Sequence, residues 1–433
     1  MYARLSWAEK ASMPMREVVK GMLAGLRRSF SGQDFLLAVI VSSGAIIVLL
    51  YGAIGITGNP VLTAAIIFVL TVALFFCGHP AEFRPNIIDG LFVGFVICIC
   101  VATLMNGIPP IKELQLLVLS LLHYPAARFL AVRQPQLTFV ATAGAIVAAG
   151  AIATSIALVE QTGFMIGKPV VLGFGHAATL FSISLCFLAI SVVSSSMSSG
   201  HVIRTCIGLF VPAAIFAASQ VRFVFAVLAA TFAVAAVISQ RKVALIVMTT
   251  LGVAILTGLT ANYRVTALHV ERDILGRPQL VDKAEVAKDP VSAALASCLG
   301  SGSYNNSVAI RRALLNDAIM QVPSSGFFGS GLASFRSACL GRASPHNSLL
   351  QAAIEFGWIG GLVFTALIVL ALLRVWPLAR ENVGARFVLY SLIFTTLLSM
   401  AYGGLEVGAL LYLFLGLSGA AVNAHKSGEG LQG

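Results

Sequence analysis

Apolar stretches recur along the chain with short polar breaks between them, until one long polar segment, 261–345, interrupts the rhythm. The stretches fall near 35–57, 60–77, 87–106, 112–132, 136–159, 176–198, 202–219, 223–239, 242–260, 350–373, 386–403 and 405–423. Each is long enough to cross a hydrocarbon core of about 30 Å as a helix. The pattern therefore predicts an all-α polytopic membrane protein of about twelve spans with one large outer loop before the tenth. Ahead of the first span, Met15, Val18, Val19, Met22, Leu26 and Phe30 repeat at helical spacing, with Arg16, Lys20, Arg27 and Arg28 mostly off that stripe. Residues 1–34 thus carry a basic amphipathic helix suited to an anionic membrane surface.

Composition supports this reading. Of 433 residues, 58% are hydrophobic and only 10% charged, against about a quarter charged in soluble domains. The formal net charge of +11 would suggest nucleic acid in a soluble protein. Here the basic residues have a sidedness that explains it better, so no nucleic-acid partner is expected. With the N-terminus inside, Lys and Arg crowd the cytoplasmic flanks, while the short outer loops hold only Lys112, Lys168 and Arg222. The positive-inside bias then makes both ends cytoplasmic, including the tail 424–433. No cleavable signal peptide is visible at the start. These features predict an inner-membrane protein whose loop 261–345 faces the periplasm.

Long loops in a compact protein are usually functional, and this one carries helix-like pieces near 265–274, 290–299 and 307–322. Turn residues follow at Pro323-Ser324-Ser325-Gly326 and Gly329-Ser330-Gly331. Five of the seven cysteines, Cys77, Cys98, Cys100, Cys186 and Cys206, lie in or at the ends of spans, where they read as packing residues. Cys298 and Cys339 both lie in the loop, and an oxidising compartment would pair them as a disulfide.

Chemistry centres on Ser344-Pro345-His346-Asn347-Ser348, where the loop meets the tenth span. A histidine titrates near pH 6.5, which suits proton transfer at neutral pH; a lone histidine can equally cap a helix. Arg222 is the one charge between the seventh and eighth spans and should face the same side as His346. A guanidinium there offers bidentate recognition of phosphate, or simply snorkels. Arg311 and Arg312 lie on the predicted helix 308–322 and flank its apolar stripe of Val308, Leu315, Ile319 and Val322. Helical spacing does not choose between them. Gly329 and Gly331 suit an amide nest for an anion or a plain turn, and no Gly-Lys-Ser/Thr follows to make a nucleotide loop. Glu355 is nine residues beyond His346, about 13 Å along a straight helix, so it is assigned a structural role. No metal-binding pattern is present in the sequence, and no cofactor is expected.

The run His346-Asn347-x-x-Leu350, then Glu355-x-Gly357-x-x-Gly360, resembles the signature of the O-antigen ligase and O-antigen polymerase superfamily. The preceding Gly329-x-Gly331-x-x-x-Phe335 and the arginine-bearing helix are similar to it too, so the resemblance covers about 301–365 by motif. It implies a metal-independent, inverting glycosyltransferase of the membrane-embedded C class (GT-C). Such an enzyme passes a glycan from undecaprenyl diphosphate to an acceptor hydroxyl, here on lipid A core. The resemblance implies a catalytic role for His346 and for Arg222, in Gln220-Val221-Arg222, where the family's flanking Ser-Arg pattern is missing. It implies a further one for Arg311 or Arg312, of which Arg311 is taken. Arg312, Gly329, Gly331, Asn347 and Gln220 become candidate diphosphate or glycan contacts, with Glu355, Gly357 and Gly360 structural. The proline often found just before the glycine turn is displaced to Pro323.

Two rivals remain at this point. A polymerase would extend the glycan itself; the single dominant loop favours a ligase, since the outer loop 160–175 holds only Lys168. A transporter of lipid-linked glycan would place ionisable residues or broken helices near the midplane, whereas the charges here cluster at span ends.

Overall fold

The computed structural model describes residues 32–56, 59–78, 83–133, 135, 137–160, 163–165, 168–195, 199–219, 221–239, 246–260, 307–338, 344–400, 404–405 and 408–426. The expected N-terminal amphipathic helix, the loop helices near 265–274 and 290–299, Gln220 and the pair Cys298 and Cys339 lie outside them.

The described chain is helical apart from one short ribbon. In order come α1 (Gly32–Val41), α2 (Ser43–Ile54), α3 (Pro60–Phe76), α4 (Ile87–Asn106), α5 (Ile111–Arg128), α6 (Leu137–Glu160), α7 (Ala177–Ser194), α8 (Ser199–Ala218) and α9 (Arg222–Ser239). They are followed by α10 (Ile246–Thr260). After the loop come α11 (Ser307–Gln321), a 3-10 turn (Val322–Ser325), α12 (Ser348–Glu355), α13 (Gly357–Glu381), α14 (Val383–Ser399) and α15 (Ala409–Lys426). Between α6 and α7 the strands β1 (Gly163–Met165) and β2 (Lys168–Pro169) pair antiparallel, followed by an isolated bridge between Val171 and Phe174.

Every predicted apolar stretch is occupied by a helix or a broken pair of helices. Among the described residues, α4, α6, α7 and α13 are each long and apolar enough to cross a membrane, and α1 with α2 makes a fifth if the pair, bent by 75°, is one span. The protein is a helical membrane protein.

Local chemistry sets where the helices start. Asn59 caps α3 by accepting from the amides of Val61 and Leu62 at 2.9 and 3.2 Å, with Pro60 at the first helical position, where its missing amide costs nothing. Asn86 and Asp89 make a reciprocal capping box on α4: the Asn86 side chain accepts from Ile88 and Asp89 amides, and Asp89 accepts from the Asn86 amide at 2.8 Å. Amides that a helix start leaves without intrahelical partners are thereby satisfied at both positions.

The centre of the bundle is made by α7, α14 and α15, whose residues are nearly all buried. α15 packs along α5 and against α13 and α14, and α13 lies along α4. Close approach is bought with small residues: a Cβ on Gly416 of α15 would run into the Tyr124 carbonyl of α5. The same helices are clamped at one end by charge. Arg128 Nε donates to Asp89 Oδ1 at 2.7 Å and its Nη2 to Oδ2 at 3.0 Å and to the Arg84 carbonyl at 2.7 Å. Tyr124 donates to Asp89 Oδ1 at 2.8 Å, and the Arg128 guanidinium lies over the Phe83 ring. Asn86 Nδ2 reaches the Gly419 carbonyl, bringing α15 into the same clamp. A buried ion pair holds only if its remaining donors and acceptors are also paired, and this one is well supplied.

Candidate functional site

The site lies at the opposite end of α4 from the clamp. The predicted tenth span is not one helix but two. α12 ends at Glu355, Phe356 is non-helical, and α13 restarts at Gly357, whose φ is +78°. The break is covered by the loop's glycine turn. The amides of Ser330 and Gly331 donate to the carbonyls of Ile354 and Glu355 at 2.9 and 3.0 Å, and the Trp358 amide donates to the Gly326 carbonyl at 2.9 Å. Carbonyls orphaned at the end of α12 thus find partners in the loop. The approach is tight enough to require glycine on both sides: a Cβ on Gly357 would meet the Phe327 carbonyl, and one on Gly329 (φ +77°) the Glu355 carbonyl. Gly331, at φ +91°, lies against Asn106. Asn106 Nδ2 donates to the Gly329 carbonyl at 3.2 Å, which pins the turn to the last residue of α4. Of the two candidates for an anion nest, Gly331 uses its amide and Gly329 its carbonyl in docking the loop. Gly360 faces Phe356 and Cys98, inside the packing of α13 on α4.

His346 has φ +51°, a left-handed conformation that is uncommon outside glycine and costs about 1–2 kcal/mol. Its amide approaches Ser344 Oγ at 3.4 Å. Asn347 then caps α12, accepting from the amides of Leu349 and Leu350, both at 3.1 Å, and Ser348 Oγ donates to the Ser399 carbonyl of α14 at 2.9 Å. A strained residue therefore comes directly before a cap and a buried anchor. Such strain persists where the surroundings over-determine it, and it clusters at functional sites. Asn347, taken as a substrate contact, is engaged as the helix cap. Glu355 is 1% exposed; Gln351 Nε2 donates to its Oε1 at 3.2 Å, and Gln351 Oε1 accepts from the Leu405 amide at 3.0 Å.

α11 packs on α12 through Leu314 and Ala318, with Ile310 and Val322 beside them, against Phe335, Ile354 and Leu350. This is not the stripe the sequence suggested. Leu315 and Ile319 point outward and are exposed, because the helix carries a second apolar stripe and the protein core takes that one. The rotation separates the two arginines. Arg311 sits beside the buried stripe with its guanidinium 4.9 Å from the centre of the Phe223 ring, while Arg312 is exposed on the outward side. Phe223 follows Arg222, the first residue of α9, whose side chain is exposed. Arg311 is thus set against the residue next to Arg222 at the start of α9, where the helix dipole adds positive potential. The same helix α11 lies on α12, whose N-terminus follows His346. Asp317 holds the strand leaving the glycine turn, accepting from Ser337 Oγ at 2.6 Å and the Ala338 amide at 3.1 Å.

Phe223, Asn106, Gln351 and Trp358 have parts in this arrangement that the sequence did not mark, since each looks like an ordinary span residue. Among the described residues no three of His, Cys, Asp and Glu gather as a metal site would require. No protein-family model matches the chain, and the search of curated proteins gave no significant match.

Proposed function

We propose that the protein is a membrane glycosyltransferase of the GT-C type that moves an O-antigen-type glycan from undecaprenyl diphosphate to lipid A core at the periplasmic face of the inner membrane. The observation that supports this reading is the cation–π contact of Arg311 with Phe223, the residue after Arg222 at the start of α9, on a helix that packs against the one His346 introduces. A lipid diphosphate is the ligand such a pair suits: two guanidinium groups at a membrane boundary, where electrostatics are stronger than in water.

In the proposed reaction the acceptor hydroxyl oxygen attacks the anomeric carbon as the bond from that carbon to the diphosphate oxygen breaks, inverting the centre. The electron pair leaves with the diphosphate, and Arg222 and Arg311 stabilise the growing negative charge. His346 positions the hydroxyl and accepts its proton. Glu355, buried and bonded to Gln351, supports the backbone that the glycine turn docks on. Twelve spans and cytoplasmic termini belong to the same proposal.

The test uses purified protein in lipid with a synthetic undecaprenyl-diphosphate glycan and lipid A core, comparing wild type with His346→Ala on a gel. Joining of glycan to core by wild type and not by the variant supports the ligase. Glycan that lengthens without core replaces it with a polymerase. Donor that crosses the bilayer with no product made replaces both with a transporter.

A further inference from the structure

Among the described residues, no protein covers the outward stripe of α11. Ile319 and Met320 are 52% and 78% exposed, and the turn that follows presents Phe327, 60% exposed, and Phe328 beside it. Apolar side chains grouped on a surface in this way mark contact with something other than water. Their surroundings say what. Trp358 opens α13, and Trp358, Leu362, Val369 and Leu373 all fall on one exposed side of it. α13 is long and apolar enough to cross a membrane, so this side faces acyl chains. The Phe327 ring meets the Trp358 ring edge to face at 5.1 Å, carrying the lipid-facing stripe past the end of the span and into the loop. Trp358 also has the habit of an interfacial residue: its ring is partly exposed while Nε1 donates to the Val322 carbonyl at 2.8 Å. Arg312 shares the outward face of α11 with Leu315 and Ile319, where a cation on a long stem reaches lipid phosphate.

We infer that the outward face of α11 and the Phe327-Phe328 turn form a membrane-docking surface that lies in the boundary between headgroups and acyl chains on the His346 side. The occupant is lipid, and the surface keeps the Arg311-bearing side of the same helix turned toward α9. This inference rests on the membrane-spanning character of α13 and not on the reaction proposed above.

The chain has three tryptophans, Trp7, Trp358 and Trp376. Replacing Trp7 and Trp376 by Phe leaves Trp358 as the one reporter, with the turn itself unaltered. A second protein adds Phe328→Trp and Trp358→Phe. Both are reconstituted as full chains in vesicles containing brominated lipids, labelled either near the headgroup or near the chain terminus, and separately exposed to aqueous iodide. The expected result is quenching by the shallow bromines that exceeds the deep by at least about twofold, matching a depth of about 5–10 Å, with little effect of iodide. Strong iodide quenching with none from lipid would place the turn in water and overturn the inference. Protection from iodide and both lipids would mean that protein covers the face, a second copy or a partner, and would overturn it equally. The reporter at Trp358 decides the question even if the Phe328→Trp protein fails to fold.

Discussion

The two ends of α4 treat arginine in opposite ways. At its first turn Arg128 is buried, paired with Asp89 at 2.7 Å, bonded to the Arg84 carbonyl and stacked on Phe83. At the far end Asn106 holds the glycine turn, and the neighbouring α11 presents Arg311 to Phe223 beside the exposed Arg222. Both ends use an aromatic ring beneath a guanidinium. At the first, the carboxylate of Asp89 completes the arrangement at ion-pair distance. The first arrangement neutralises a charge so that helices can pack on it. The second sets Arg311 on the ring that follows Arg222 at a helix N-terminus, where the proposed function places the diphosphate.

That contrast can be broken most sharply at His346. His346→Ala is expected to slow glycan transfer about 10²–10⁴-fold, the usual worth of a positioned acid–base group, with an unchanged melting temperature or a small rise. Nearly equal in free energy, but opposite in kind, is Asp89→Ala. It strands the Arg128 charge inside the bundle and should cost about 3–5 kcal/mol of stability, read as a lower melting temperature in detergent; adding Arg128→Met should recover part of it. If Asp89→Ala instead leaves stability intact and stops transfer, the clamp is not structural and the comparison fails.

Gly329→Ala is expected to cost at least about 2 kcal/mol, because it combines a left-handed backbone with a collision at the Glu355 carbonyl. Hydrogen exchange should show the loss confined to the turn and the α12–α13 break. Arg311→Ala should slow transfer about ten- to a hundred-fold, through loss of a charge-assisted contact of about 1.5–3 kcal/mol, while Arg312→Ala changes it less than about twofold. Equal effects would refute the separation of the two arginines by the rotation of α11. The smallest change in stability is that of His346→Gly, which should gain up to about 1 kcal/mol by releasing the left-handed strain while remaining as slow as His346→Ala. A stability loss there would mean that the side chain is part of the fold.

Much of this was legible in the chain. Hydropathy located the helices, since about 20 apolar residues in a row leave few alternatives in a bilayer. Asn347 before Ser348 and Asn86 before Asp89 mark helix starts by local hydrogen bonding, which needs no partner from elsewhere. The broken tenth span was not legible: Gly357 announces a possible left-handed residue, but its break is stabilised by amides of Ser330 and Gly331, which come from the loop. The Gly331 amide and the Gly329 carbonyl likewise meet partners that only folding supplies, at Glu355 and Asn106.

Sequence by itself determined that α11 would be a helix with apolar residues along it and two adjacent arginines pointing apart. It could not determine which apolar stripe faces the protein, because beside a bilayer an apolar surface is satisfied by core and by lipid alike. Packing of Leu314 and Ala318 on Ile354 made that choice. It turned Arg311 toward Phe223 and left Leu315 and Ile319 outward, so the tertiary structure decided both which arginine approaches the candidate site and which face meets the membrane.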